Sequence, residues 1–266
     1  MNFFWRAIQQ HSYLYWSLSK RDVAAKYKGS SLGLVWVILN PLLMLLVYGF
    51  VFGIVFQARW PQVGSTTGVE FPLILFCGLI VFFMFSEIVN RSPMLIVEHA
   101  NYVKKVVFPL PLLSCVVVTT STFHYLISFL VMTIYAATIA VYPSWSLLYL
   151  PLLLLQFVAF CLGLSWFLSA VGVFLKDMSY VVGFISTALM FLCPIFYPID
   201  AVPEKFRAVI YANPLTYYVE SFRGLSLYKM APDANQAFIA LVVALIVFFG
   251  GLLFFNKVRH AFSDVV

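Results

Sequence analysis

Long apolar runs separated by short polar segments make up most of this chain. No residue is charged within 29–58, 71–86 or 106–175. A helix that crosses the ~30 Å hydrocarbon core of a bilayer needs about 20 predominantly apolar residues. The longest run can hold two such helices, and most of the others can hold one. The pattern therefore predicts an all-α membrane protein.

Turns and charged residues divide the apolar runs into six predicted spans. The segment 142–146 (YPSWS) carries proline and two serines and splits the longest run. Lys176 and Asp177 close the hairpin that follows. The predicted spans are 32–56, 71–91, 112–141, 147–175, 178–199 and 234–256. They form a transmembrane domain over 31–256, with 1–30 before it and a tail at 257–266 after it.

Residues 1–30 have a different pattern. Phe4, Ile8, Leu14 and Leu18 recur at helical spacing among polar residues, which predicts an amphipathic helix that lies in the membrane interface. A basic segment with four cations follows directly before the first span: Lys20, Arg21, Lys26 and Lys28.

The region between the fifth and sixth spans, 199–233, contains an interrupted apolar stretch. Residues 206–222 are too few to cross the bilayer, and Asn213-Pro214 breaks them in the middle. We expect a re-entrant pair of half-helices, which lipid tolerates only where the backbone is buried in protein or faces water. The alternative is a helical hairpin lying on the surface.

The loop 91–110 follows the second span. Its segment 97–105 (VEHANYVKK) predicts one short amphipathic helix that ends before Phe108-Pro109, because proline disfavours helix in the residue before it. Such a helix suits either a docking element for a soluble partner or an ordinary connector, and periodicity does not choose between them.

Composition and charge agree with a membrane protein and suggest its orientation. Of 266 residues, 63% are hydrophobic and 10% are charged, and 16 basic residues face 10 acidic ones. With the N-terminus inside, 11 of the 16 basic residues fall on the cytoplasmic side. The positive-inside rule then places both termini in the cytoplasm, and the basic excess needs no nucleic acid to explain it.

Several kinds of chemistry are missing. None of the 13 glycines precedes a lysine, so the chain has no phosphate-binding loop for ATP, and its energy must come from elsewhere. The four cysteines lie in apolar stretches, where they are expected to act as packing residues. We expect no enzyme activity, metal site or cofactor in the chain itself.

His124 is an ionisable residue within a predicted span and so a functional candidate. It can be a neutral histidine bonded to a neighbouring helix, or the base of a membrane-embedded glycosyl or acyl transferase for lipid-linked sugars. No carboxylate is expected at its depth, since Glu87 is predicted to pair with Arg91 four residues on. A proton-coupled flippase for lipid-linked sugars is a further alternative.

Aromatic residues are abundant, at 18% of the chain. In the first span Trp36, Asn40, Tyr48 and Phe52 belong to a series with a residue at every fourth position. Aromatic faces can bind sugar rings, or they can pack in the core and face lipid.

Motifs along nearly the whole chain resemble those of ABC-2 type permeases that export polysaccharides. The likeness is greatest to the membrane subunit of O-antigen exporters, with capsule and teichoic-acid exporters as near relatives. The motifs are KRDV at 20–23, KYKGSSLG at 26–33, Trp36, NP at 40–41, 101–109, FLKD at 174–177, PIFYP at 194–198, VPE at 202–204, NP at 213–214 and RG at 223–224.

The resemblance implies a homodimer in the bacterial inner membrane with two separate ATPase subunits that bind ATP and Mg²⁺. The cargo would be a polysaccharide linked to undecaprenyl diphosphate.

The expected glycan channel and lateral gate comprise Trp36, Asn40, Tyr48, Phe52, Phe191 and Tyr197. The lipid diphosphate is expected at Arg21, Lys26 and Lys28. ATPase coupling is assigned to Glu98, His99, Asn101, Tyr102, Lys104 and Lys105. The periplasmic gate is assigned to Asn213, Pro214, Tyr217, Glu220 and Arg223.

Overall fold

The computed structural model describes residues 12–55, 71–105, 108–139 and 141–265, and within these ranges it contains helices but no strand. The prediction of an all-helical protein is confirmed. The helices are α1 Ser12–Tyr27, α2 Trp36–Tyr48, α3 Phe71–Arg91, α4 Leu95–Glu98, α5 Ala100–Lys105, α6 Pro111–Thr138, α7 Leu150–Phe174, α8 Met178–Leu192, α9 Glu204–Ala212, α10 Pro214–Arg223, α11 Ala234–Val258 and α12 Phe262–Val265.

Five helical segments of the described ranges are long and apolar enough to cross a membrane: Gly33–Phe52, Phe71–Arg91, Pro111–Thr138, Trp145–Phe174 and Ala234–Ala261. They correspond to five of the six predicted spans. The remaining one, 178–199, forms helix only over the 15 residues of α8. At 1.5 Å per residue, α8 is about 22 Å long, which is short of a ~30 Å core. The span over 178–199, and with it the count of six spans, stays a prediction.

Helix α3 lies at the centre of the bundle. Most of its side chains are buried, and it contacts α2, α6, α7, α8 and α10. By contrast, α2 buries only Val37, Pro41 and Leu45. From Gly49 to Val55 the first span continues as a wider helix. It is thus a loosely packed element beside a well-packed core.

The described part of the N-terminal segment is a helix, as predicted, while Phe4 and Ile8 lie outside the described residues. Tyr15 of α1 hydrogen-bonds Thr119 of α6, and the Tyr27 hydroxyl lies 3.3 Å from His124 Nε2. These two contacts attach α1 to the side of α6.

The prediction of one helix over 97–105 is wrong. The segment forms two short helices, α4 and α5, which are separated at His99 (φ −109°, ψ 30°). The His99 ring explains the break, because its Nδ1 lies 2.8 Å from the Leu95 carbonyl oxygen and its face stacks on Tyr102. Residues 106 and 107 of this loop lie outside the described residues.

Two helices do meet at the predicted break in 206–222. Asn213 ends α9 and caps α10, since its Oδ1 accepts a hydrogen bond of 3.0 Å from the Leu215 amide. Pro214 then occupies the first turn of α10, where its missing N–H costs no helical bond. At the end of the bundle α11 runs to Val258, two residues beyond the predicted limit of the last span.

Candidate functional site

A polar cluster joins α1, α3 and α6 near one end of the bundle. Lys26 Nζ donates to Glu87 Oε1 at 3.0 Å, and Glu87 Oε2 lies 3.3 Å from His124 Nδ1. The expectation that His124 has no carboxylate at its depth is wrong, because α3 places Glu87 beside it. Glu87 and His124 are 37 positions apart in the sequence, so only helix packing reveals this pair.

Both ring nitrogens of His124 face protein groups. Nε2 lies 3.3 Å from the Tyr27 hydroxyl, and Nδ1 lies 3.3 Å from Lys26 Nζ as well as from Glu87. A neutral Nδ1 can accept from Lys26, whereas a protonated Nδ1 can donate to Glu87. Because each nitrogen already has a protein neighbour, this geometry does not favour His124 as a base for a substrate.

A second ion pair fixes α1 to the end of α3. Arg91 donates two hydrogen bonds to Asp22, of 2.7 and 3.1 Å, and also lies 3.8 Å from Glu87. The predicted pairing of Glu87 and Arg91 is confirmed. Burial raises the pKa of Asp22, but the hydrogen bonds and charge of Arg91 outweigh burial and hold that pKa below its ordinary value. Asp22 is therefore a carboxylate at neutral pH.

The structure divides the three cations expected at the lipid diphosphate. Arg21, Lys26 and Lys28 are all exposed, but only Lys26 pairs with Glu87. Lys26 also borders a cavity of about 370 Å³ between α1, α2, α3 and α6. Asn40, predicted for the channel, lines the same cavity. Two serines of α6 also line it, Ser121 and Ser128.

Three predicted channel residues meet, together with Phe196, in a row of rings that we call the aromatic ladder: Tyr48, Phe52, Phe196 and Phe191. The successive ring centroids lie 6.2, 6.1 and 5.9 Å apart. The Tyr197 hydroxyl joins this row by donating to the Phe191 carbonyl oxygen at 2.8 Å. Phe196 is the link that sequence reasoning missed, although it lies in the PIFYP motif.

Trp36, the remaining residue of the predicted channel, is half-buried near the opposite end of α2. It lies one turn before Asn40 on that helix. The predicted channel set is thus distributed between the aromatic ladder and the end of α2 near the polar cluster.

The predicted periplasmic gate residues also separate into two groups. Asn213, Pro214, Tyr217 and Glu220 line a cavity of about 560 Å³ between α9, α10 and α11. Arg223 is fully buried and braces three elements instead. Its guanidinium forms an ion pair with Glu220 and donates to the Ile74 and Pro194 carbonyl oxygens at 3.4 and 3.1 Å.

The predicted coupling residues form a small surface with an aromatic base. Glu98 and Asn101 are exposed, while Tyr102 stacks between His99 and Phe108, with ring centroids 5.9 and 4.8 Å away. The side chains of Lys104 and Lys105 lie outside what the structure describes. In the described ranges no group of three His, Cys, Asp or Glu residues could hold a metal ion.

Apolar helices of spanning length, with a charged helix packed against them, define a polytopic membrane protein. The chain belongs to the ABC-2 type transporter family, whose family model matches residues 13–227.

Relatives of the chain match it along most of its length. It is 27% identical over 263 residues to the O-antigen export system permease protein RfbA of Myxococcus xanthus, with 98% of each chain covered. It is 29% identical over 253 residues to a protein of the same name from Klebsiella pneumoniae, covering 94% of this chain and 93% of the relative. The polysialic acid transport protein KpsM of Escherichia coli is 26% identical over 210 residues, 78% of each chain.

Proposed function

We propose that this chain is the permease subunit of an ABC transporter that exports an O-antigen polysaccharide across the bacterial inner membrane. The observation that carries this proposal is the near full-length similarity to permeases named for O-antigen export. The cargo would be linked to undecaprenyl diphosphate and would move glycan-first or lipid-first along a path that the permease provides.

The proposed assembly contains two copies of the chain and two ATPase subunits. The absence of a phosphate-binding loop supports a separate ATPase that holds ATP and Mg²⁺. Each copy would have six spans and both termini in the cytoplasm. In this arrangement α8 and the buried segment Cys193–Ile195 together complete the fifth span, and α9 with α10 forms the re-entrant pair.

The aromatic ladder supports a role in glycan passage. It joins the loosely packed first span to the end of α8, which is where a lateral opening would require two elements to separate. Ring faces contact sugar rings without holding them by fixed charges. Arg21 and Lys28 are exposed for the anionic diphosphate, and Lys26 can join them only by leaving Glu87.

The ATPase would dock on α4 and α5. Glu98 and Asn101 are exposed there, and the stacked Tyr102 gives the surface a fixed base. His99, Lys104 and Lys105 complete the proposed contact.

Capsule export is the second candidate, and the similarity to KpsM favours it. The two candidates differ in the glycan that is lost from the cell surface when the gene is deleted. Loss of O-polysaccharide supports the first candidate, and loss of capsule with normal O-polysaccharide supports the second.

The proposal predicts that Phe52 is required for export and that Phe50 is not. Phe52 contacts Tyr48, Phe71 and Phe196, whereas the Phe50 side chain is 54% exposed on the same segment. Surface polysaccharide is measured in cells with equal amounts of each variant in the membrane. Phe52→Ala should reduce export roughly threefold to tenfold, given about 0.5–1.5 kcal/mol for an aromatic contact.

Two further experiments test whether the protein is part of an ATP-driven exporter. Export should stop when the partner ATPase is inactivated, and it should continue for some time after the proton gradient is dissipated. A transferase would lose its product with His124→Ala, while a flippase would respond to the gradient and not to the ATPase. The proposed mechanism is contradicted by loss of a transferase product in His124→Ala cells, or by export that depends on the proton gradient and not on the ATPase. Equal export in the Phe52→Ala and Phe50→Ala cells would also contradict it.

A further inference from the structure

The cavity between α1, α2, α3 and α6 has the size of a small-ligand site. Its volume of about 370 Å³ corresponds to roughly a dozen water molecules, which is enough space for one sugar ring. Helices α1, α2, α3 and α6 line it. The lining extends along α3 from Phe76 to Glu87, four residues before the end of that helix, and includes Ser121 and Ser128 near the middle of α6.

A buried hydroxyl at the cavity wall needs a hydrogen-bond partner. Ser121 is fully buried, and its Oγ makes no hydrogen bond within the described residues. A buried polar group without a partner costs about 1–3 kcal/mol. The amide of Asn40 and the hydroxyl of Ser128 line the same cavity. The wall therefore offers donors and acceptors to a ligand that carries several hydroxyl groups.

Charge decides which class of ligand suits this cavity. Lys26 is balanced by Glu87, and Arg91 is balanced by Asp22. An anionic headgroup would find no uncompensated cation here, and an acyl chain would leave the polar wall without partners. The rings of Phe83 and Tyr125 supply apolar faces beside the polar groups. A neutral, hydroxyl-rich ring satisfies both parts of the wall.

We propose that this cavity binds one neutral pyranose ring, contributed by the glycan at the cytoplasmic end of its path. The proposal rests on the proposed function for the source of the sugar, but sugar binding by the protein itself can be measured separately. Asn40, Ser121 and Ser128 hydrogen-bond the hydroxyl groups, and Glu87 accepts from one of them beside Lys26.

The experiment measures sugar binding to the full chain in a detergent without a sugar headgroup. The probe is methyl β-glucopyranoside, detected by saturation-transfer nuclear magnetic resonance, which suits weak binding. Ser121→Ala should weaken binding about fivefold, the effect of losing one hydrogen bond. Ser114→Ala is the matched control, because Ser114 is also a fully buried, unpartnered serine of α6 but lies outside the lining of this cavity.

A second variant, Ser128→Leu, fills the cavity and should abolish binding while the protein keeps its elution volume on gel filtration. Equal binding by the wild-type, Ser121→Ala and Ser128→Leu proteins would overturn the proposal, as would displacement of the glucoside by inorganic pyrophosphate. Loss of binding in both variants supports it. Export of polysaccharide by cells with the same variants is measured separately from sugar binding. A wrong exporter assignment can therefore be distinguished from a wrong sugar site.

Discussion

At the scale of single residues, two glycines determine how closely the helices α7 and α11 approach. Gly163 of α7 and Gly251 of α11 face each other, and a Cβ added at Gly251 would overlap the Gly163 carbonyl group. Small residues allow such close approach between membrane helices, where van der Waals contact replaces the hydrophobic effect as the main attraction. The neighbouring Gly250 has open space around its Cα.

We therefore expect Gly251→Ala to destabilise the protein by about 1–3 kcal/mol, as an added methyl group forces apart a packed contact. Gly250→Ala is the matched control and should leave stability nearly unchanged. Thermal unfolding of both variants in detergent measures the difference. A Gly251→Ala protein that unfolds at the same temperature as Gly250→Ala would show that α7 and α11 are not in this close contact.

At the scale of elements, α1 is attached to α3 and α6 by polar contacts. Asp22 pairs with Arg91, Lys26 pairs with Glu87, and Tyr15 bonds Thr119. The turn between α1 and the first span contains Gly29 and Gly33 with φ of 89° and 51°, a backbone region that glycine adopts without strain. Helix α1 is thus fixed to the core, and the first span follows it through a glycine turn.

Asp22→Asn should weaken this attachment by about 1 kcal/mol at neutral pH, since the pair is partly exposed. The pKa of Asp22 is lowered in the folded protein, so its contribution is present above the ordinary carboxyl range and is lost as the pH falls through the lowered pKa. The unfolding temperatures of wild type and Asp22→Asn should therefore differ at pH 7 and converge in strong acid. Asp177→Asn, at an exposed site, is the control. A difference that persists unchanged in acid would contradict an ionic attachment.

At the scale of the whole molecule, the open question is whether α8 completes a span. If the chain has six spans, it crosses the membrane three times between the loop before α7 and the end of the chain. If it has five spans, it crosses only twice there. Ser144, before α7, and Ser263, in α12, therefore report opposite sides in the first case and the same side in the second. The described cysteines are all buried, so introduced thiols would dominate labelling.

We expect a cysteine at Ser144 to react with a membrane-impermeant reagent in intact cells and one at Ser263 to react only in inverted vesicles. The 11 to 5 division of basic residues is the physical reason, because lysine and arginine are retained on the cytoplasmic side. A third label at Met230 should behave as the one at Ser144. Labelling of Ser144 and Ser263 from the same side would mean that α8 does not cross.

The sequence by itself determined the class of protein and the position of most helices. Partition of a segment into lipid depends on its own composition, so the runs 71–91 and 234–256 could be identified without knowledge of their neighbours. The break at Asn213-Pro214 also follows from local chemistry, as does the pairing of Glu87 with Arg91 one helical turn away.

Only the tertiary structure decided which polar side chains meet. Lys26, Glu87 and His124 come from three helices, and Phe196 completes the aromatic ladder only because the chain after α8 turns back toward the first span. Arg223 lies buried and bonds groups of three elements, and His99 interrupts what periodicity predicts as one helix. These outcomes depend on how the helices rotate and pack against each other, which local hydropathy does not encode.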